Sequence, residues 1–190
     1  MFEDETVANL AAGDLAAETE PSALESEVIG LFDQLQDRLH CYLLSMGLSA
    51  PDGEEIIQEV FLALFLHLRR GKSRANLRGW VFQVAHNLAL KRRTVLQRNK
   101  QSLLEHGATS AEHFFVDQAR NPEDQLSWKQ RRVRLFNVWQ ALPEQDRRCL
   151  ALRAEGLTYR EISQVLDMSL GAVSVSLARS LARFARADER

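Results

Sequence analysis

Cysteine is scarce in this 190-residue chain: only Cys41 and Cys149, far apart. That excludes a disulfide framework and fits reduced thiols in a cytoplasmic protein, most simply two small core hydrophobes. No apolar run approaches the roughly 18 residues that a membrane span needs; the longest, Val60 to Leu66, stops at His67. The N-terminus has neither a basic n-region nor an apolar h-region, so no signal peptide is expected. Convincing strand patterns are absent, as are internal repeats. The histidines (His40, His67, His86, His106, His113) show no metal-ligand spacing with cysteines or carboxylates. There is no Gly-rich phosphate loop and no nucleophile motif. Glu54 and Glu55 are neighbours, which places them about 100° apart on a helix, unable to share a site. A non-enzymatic protein without cofactor or metal is the expectation.

Two further absences concern charge. Residues 1–27 contain eight carboxylates (Glu3, Asp4, Glu5, Asp14, Glu18, Glu20, Glu25, Glu27) and no Lys or Arg. Arg69 to Lys100 contains ten Lys or Arg and no carboxylate. The formal net charge is −2, yet without the acidic tail the chain carries six more cations than carboxylates. A cationic block without acids is an electrostatic footprint for phosphate backbone; its bland alternative is a solvated basic face.

What is present is helical patterning. Residues 1–27 read as an acidic flexible tail. From Val28, the residues Leu31, Phe32, Leu35, Leu39 and Tyr42 form one apolar stripe. After a break at Ser45–Gly53, Asp52 is the expected N-cap, with Glu55 completing a capping-box-like pair. Ile56, Ile57, Val60, Phe61, Leu64, Phe65 and Leu68 then form a second stripe, flanked by Leu62 and Leu66. A basic loop, Arg69–Asn76, leads to a third helix capped by Asn76. Its expected inner face is Leu77, Trp80, Val81, Val84, Leu88 and Val95, so Trp80 reads first as core. Residues 99–121 lack a sustained period and read as a linker. Asn121-Pro122-Glu123-Asp124 is a helix start, and Trp128, Val133, Leu135, Phe136, Val138, Trp139 and Leu142 follow at helical spacing. Pro143 opens another helix carrying Cys149, Leu150 and Leu152. The fold class expected is all-α: two small helical domains, 28–98 and 122–186, joined by a flexible linker over 99–121.

The most specific local signal lies at Leu157–Ala182. Thr158 with Glu161 forms a capping box, and Ile162, Val165 and Leu166 form the inner face of a short helix. Asp167 and Met168 break it. Ser169 caps a second helix, with Val173, Leu177 and Leu181 as a four-residue apolar repeat. Two short helices with a tight turn make a helix-turn-helix, and the second helix suits the major groove. Ala172, Val175, Ser176, Arg179 and Arg183 are expected to point outward from it. A plain helical hairpin is the structural alternative.

Two blocks together resemble the extracytoplasmic-function (ECF) branch of the sigma-70 family. DGEEIIQEVFLALFLHL (from Asp52) with NLRGWVFQVAHNLALKRR (from Asn76) is similar to sigma region 2; ALPEQDRRCLALRAEGLTYREIS (from Ala141) is similar to sigma region 4. Nothing resembles region 1.1 or region 3. The resemblance covers about 28–98 and 122–186. It implies partners: core RNA polymerase, promoter DNA and, in some members, an anti-sigma factor. It implies polymerase docking by Asp52, Glu55, Gln58 and Glu59. It implies −10 contacts by the loop Lys72, Ser73, Arg74 and Asn76 and by the helix residues Arg78, Trp80, Asn87, Lys91, Arg92 and Arg93. For the −35 element it implies Ser169, Ala172, Ser174, Val175, Ser176, Arg179 and Arg183.

Several positions depart from the family pattern. Asp167 stands where Gly is frequent and Ser163 where Ala is usual. Ser174 and Ser176 replace basic residues, which removes two phosphate contacts, each worth about one unit of salt slope. The acidic tail is an addition, expected to shield the basic block. An ordinary helix-turn-helix regulator explains the C-terminal third but not the Asp52–Arg93 block; an interaction protein that kept a sigma-like fold while losing promoter recognition is the other alternative, suggested by the serine-bearing recognition helix.

Overall fold

The computed structural model describes residues 22–103 and 122–188. The expected linker falls mostly outside these, as do Asn121 and nearly all of the acidic tail. Seven helices make up the described chain: α1 (Ala23–Ser45), α2 (Ala50–Arg69), α3 (Leu77–Leu103), α4 (Pro122–Ala141), α5 (Glu144–Ala154), α6 (Tyr159–Leu166) and α7 (Leu170–Asp188). No strand occurs among the described residues, so the all-α class is observed.

Helix starts follow local chemistry. α1 begins five residues before Val28, because Ser22 and Glu25 form a reciprocal capping box. α2 begins before the expected cap at Asp52. Ser49 is the N-cap, accepting from the Asp52 N–H at 3.3 Å and donating its hydroxyl to the Asp52 carboxylate at 2.5 Å. Pro51 is no obstacle, since the first helical turn does not need its missing N–H. Gly53 sits inside that helix against α1, where a Cβ would meet the His40 ring at 3.2 Å. Asn76 caps α3 as expected: the Gly79 N–H donates to its Oδ1 at 3.1 Å. Asn76 holds a left-handed backbone (φ 54°), a conformation asparagine tolerates better than most residues.

One core runs through both halves. Leu35, Leu39, Tyr42, Ile56, Val60, Leu64 and Val81 are continuous with Cys149, Leu152, Leu157, Ile162, Val173 and Leu177. The two halves therefore pack against each other, with α3 on α6 and α1 on α5. One face of α3 differs from the expectation. Val81 is buried, but so are Phe82, Ala85, His86 and Ala89, outside the expected stripe, while Val95 is 51% exposed. A second buried flank arises because α1 packs on it: Phe82 lies edge-on to the Tyr42 ring, centroids 5.8 Å apart, and His86 meets the Tyr42 hydroxyl.

Cys149 is buried, while Cys41 is exposed, so only the former is the core hydrophobe expected. Inside the core, Tyr42 and His86 Nδ1 are 2.7 Å apart. Burial, and then the cations Arg148 and Arg93, push the His86 pKa down to about 4. No single helix among the described residues is long and apolar enough to cross a membrane.

Candidate nucleic-acid interface

On a helix with 3.6 residues per turn, positions 80, 83, 87, 91, 94 and 98 fall within one narrow stripe. Along α3 these are Trp80, Gln83, Asn87, Lys91, Thr94 and Arg98, and all but half-buried Trp80 are exposed. The stripe spans about 27 Å at 1.5 Å per residue. The loop Lys72–Asn76, wholly exposed, lies at its head. Ser73 shapes that loop: its hydroxyl accepts from the Ala75 N–H at 3.1 Å and its carbonyl meets His67 Nε2 at 3.0 Å. The His67 ring lies against Trp80, centroids 4.7 Å apart. Trp80 is thus half in the core and half at the surface. Arg74 pairs with Glu27 at 3.2 Å, so one tail carboxylate does meet the basic loop. Gln83 and Arg98 were not singled out from sequence; their spacing from Asn87 and Lys91 was the available signal.

The other expected −10 residues face elsewhere. Arg92 turns toward α2 and bridges Asp52 at 3.2 Å and Glu55 at 2.6 Å. One ion-pair cluster thus joins two residues assigned to polymerase and one assigned to DNA. Glu55 foremost, by its hydrogen bond, raises the Arg92 pKa. Gln58 and Glu59 are exposed on α2. Arg78 and Arg93 turn toward the C-terminal half: Arg78 donates to the Glu155 carbonyl and Arg93 pairs with Glu144. Arg38 also donates to that carbonyl, at 3.1 Å. The site closes over Gly156, at φ +84°, where a Cβ would meet the Arg78 guanidinium at 2.9 Å.

In the C-terminal half both expected caps form. The Thr158–Glu161 box is reciprocal, and the Ala172 N–H donates to Ser169 Oγ at 3.1 Å. Asp167 ends α6 in the left-handed region, φ 51° and ψ 51°. Ser163 ties the same turn by donating to the Met168 carbonyl at 2.5 Å, a bond that alanine cannot make. Two expectations fail on α7. Leu181 is 55% exposed, and Ser176, expected outward, is 3% exposed. A strict four-residue repeat drifts about 40° per step on an α-helix. The stripe that stays inward is Val173, Ser176, Leu177 and Ser180, at spacings of three and four.

Ser176 donates to Asp146 at 2.7 Å, and Arg179 grips the same carboxylate through Nε and Nη2 at 2.9 and 2.7 Å. Asp146 is 2% exposed, and Arg179 holds its pKa below the usual carboxylate range, with Ser176 adding to the effect. Arg179 therefore anchors α7 to α5. Arg183 is exposed, 3.5 Å from the Ala141 carbonyl. Ser169, Ala172, Ser174 and Val175 are exposed as expected.

Comparison with known proteins agrees with this layout. Residues 31–99 match the family model for sigma-70 region 2, and residues 132–184 match that for sigma-70 region 4. The chain belongs to the sigma-70 family, in its ECF branch. It is 27% identical over 143 residues to the ECF RNA polymerase sigma-E factor of Escherichia coli strain K12, covering 73% of this chain and 74% of that one. The Haemophilus influenzae sigma-E factor is 23% identical over 142 residues, covering 73% and 75%. Among solved structures, the sigma factor RpoE of Bartonella quintana, in complex with the anti-sigma factor NepR, is similar in fold. Its TM-score is 0.63 at 15% identity, covering 85% of this chain and 96% of that one. CnrH in complex with the cytosolic domain of CnrY gives a TM-score of 0.54 at 18% identity, covering 85% and 86%. Members of this family are non-enzymatic initiation factors.

Proposed function

We propose that this sigma factor binds core RNA polymerase in the cytoplasm and carries it to promoters, region 2 gripping the −10 element and region 4 docking on the −35 element. The observation that carries the reading is the outward stripe of α3 with its loop. Lys72, Arg74, Lys91 and Arg98 line one exposed track that no carboxylate of the segment interrupts. Such a track suits phosphates, and the half-exposed Trp80 beside the loop offers a ring edge to an unpaired base. Gln58 and Glu59, exposed on α2, are the surface offered to polymerase, with Asp52 and Glu55 held beside them by Arg92.

Arg78 and Arg93 serve DNA only after region 4 moves off α3, because both are engaged by region 4 here. The packed arrangement is thus a resting one, and polymerase binding draws the regions apart. An anti-sigma factor that favours the packed form would oppose initiation.

The test is reconstitution. Purified protein mixed with core polymerase at low salt is expected to co-elute as a holoenzyme and to support run-off transcription from a subset of genomic promoter fragments. Failure to associate with core enzyme at low salt would overturn the reading.

A further inference from the structure

We propose that α7 reads thymine methyl groups: the −35 contact of this chain is apolar, centred on Val175, rather than hydrogen-bonded. The proposal rests on the reading of region 4 as the −35 module.

In a helix-turn-helix the N-terminal residues of the second helix meet base edges. Guanine is recognised there by Arg or Lys, adenine by Asn or Gln, and the thymine C5-methyl by apolar side chains. From Leu170 to Ala178, α7 has no charged and no amide side chain. Of its two hydroxyls, Ser176 is buried and spent on Asp146. The next residue, Arg179, has both its Nε and one terminal nitrogen committed to the same carboxylate. The outward surface that remains is Val175, 62% exposed, and Leu170, 50% exposed, with Ala172 and Gly171 beside them and the single free hydroxyl of Ser174.

The shape supports the chemistry. A shallow depression of about 300 Å³ lies beside Val175 and Ala172, with Gly171, Met168 and Gln145 on its walls and the paired Asp146, Ser176 and Arg179 along one side. A Cβ on Gly171 would touch nothing within 4 Å, so packing within the fold does not demand glycine there. Gly171 leaves a bare helix surface next to Val175, which a base edge can approach closely. Gln145, exposed on α5, borders the same depression. A run of T·A pairs therefore matches this surface, whereas guanine finds no donor fork on it.

The experiment uses holoenzyme reconstituted from full-length protein and core polymerase, with a library of randomised duplexes as the probe. The enriched upstream block is expected to be thymine-rich. Rebuilding that block with deoxyuridine removes only the C5-methyl groups. Binding should then weaken about fourfold per methyl in contact, as for one buried methylene-sized group. Val175→Ala should bind thymine and uracil duplexes alike, and Val175→Thr, which keeps one methyl, should restore part of the difference. Val175 is exposed, so circular dichroism should show both variants folded. An upstream block dominated by guanine, no enriched upstream block, or equal binding of thymine and uracil duplexes would each overturn the inference while leaving the sigma reading intact. Absence of any holoenzyme would overturn both.

Discussion

Helices α3 and α7 are the two surfaces proposed to meet DNA, and they are built in opposite ways. α3 turns Asn87, Lys91 and Arg98 outward on a segment free of carboxylates. α7 turns Val175, Ala172 and Ser174 outward, and its first arginine is tied to a buried aspartate. Charge binds phosphates whatever the sequence; apolar contact discriminates bases but attracts nothing from a distance. On the proposed reading, grip and discrimination are divided between the two regions: region 2 would supply most of the electrostatic affinity, and region 4 would add a short-range preference.

The largest expected effect contrasts two aspartates. Asp146 is almost fully buried and accepts three hydrogen bonds from Ser176 and Arg179. Asp146→Ala leaves those donors unpaired and should cost about 2–3 kcal/mol in chemical denaturation. Asp52 is more accessible, 20% at the side chain, and shares Arg92 with Glu55. Asp52→Ala should cost about 1 kcal/mol or less. Equal losses would mean that α7 is not anchored through Asp146.

A middle-sized effect concerns the packing between regions. Arg78 and Arg38 both donate to the Glu155 carbonyl. Replacing both with alanine removes these bonds while leaving the shared apolar core. The double variant should show a larger radius of gyration by small-angle scattering and a faster exchange of the α6 amides. An unchanged radius and unchanged exchange would show that the apolar contacts alone hold the regions together.

Much of this division was legible in the sequence. The stripes of α1 and α2 and the cap of α3 needed only helical spacing and one asparagine, and the carboxylate-free block needed only counting. The inward turn of Ser176 was not legible, because a hydroxyl carries no hydrophobic signal, and only the pairing with Asp146, thirty residues away, makes it core. Arg92 and Arg93 are adjacent, so they point about 100° apart and serve different neighbours, yet as sequence they read as one basic cluster. The second buried flank of α3 was hidden for a related reason. Ala85, His86 and Ala89 are weak apolar signals, and the burial of His86 is explained only by its pairing with Tyr42 of α1, forty-four residues away.

A separate effect is a pH dependence. His86, in the region 2 core, has its pKa lowered to about 4 by burial, while the unfolded value is about 6.5. Between these values the unfolded chain binds more protons, so stability rises with pH across that window. The protection is complete above about pH 6.5 and is lost as pH falls toward 4. Asp146, whose pKa is held low by Arg179, contributes stability in region 4 that is present above the ordinary carboxylate range and is lost as pH falls below it. Thermal midpoints measured from pH 7 to pH 4.5 should therefore fall, and His86→Asn should flatten the slope while keeping an acceptor for Tyr42. An unchanged slope would place the titration elsewhere.

The salt dependence of promoter binding by the holoenzyme is the most direct measurement. Lys91→Ala with Arg98→Ala should reduce the slope of log affinity against log salt by about one unit per cation removed. Arg179→Ala and Val175→Ala should leave it nearly unchanged. If the α7 substitutions change the slope as much as the α3 pair does, grip is not concentrated in region 2 and the division between the two helices is wrong.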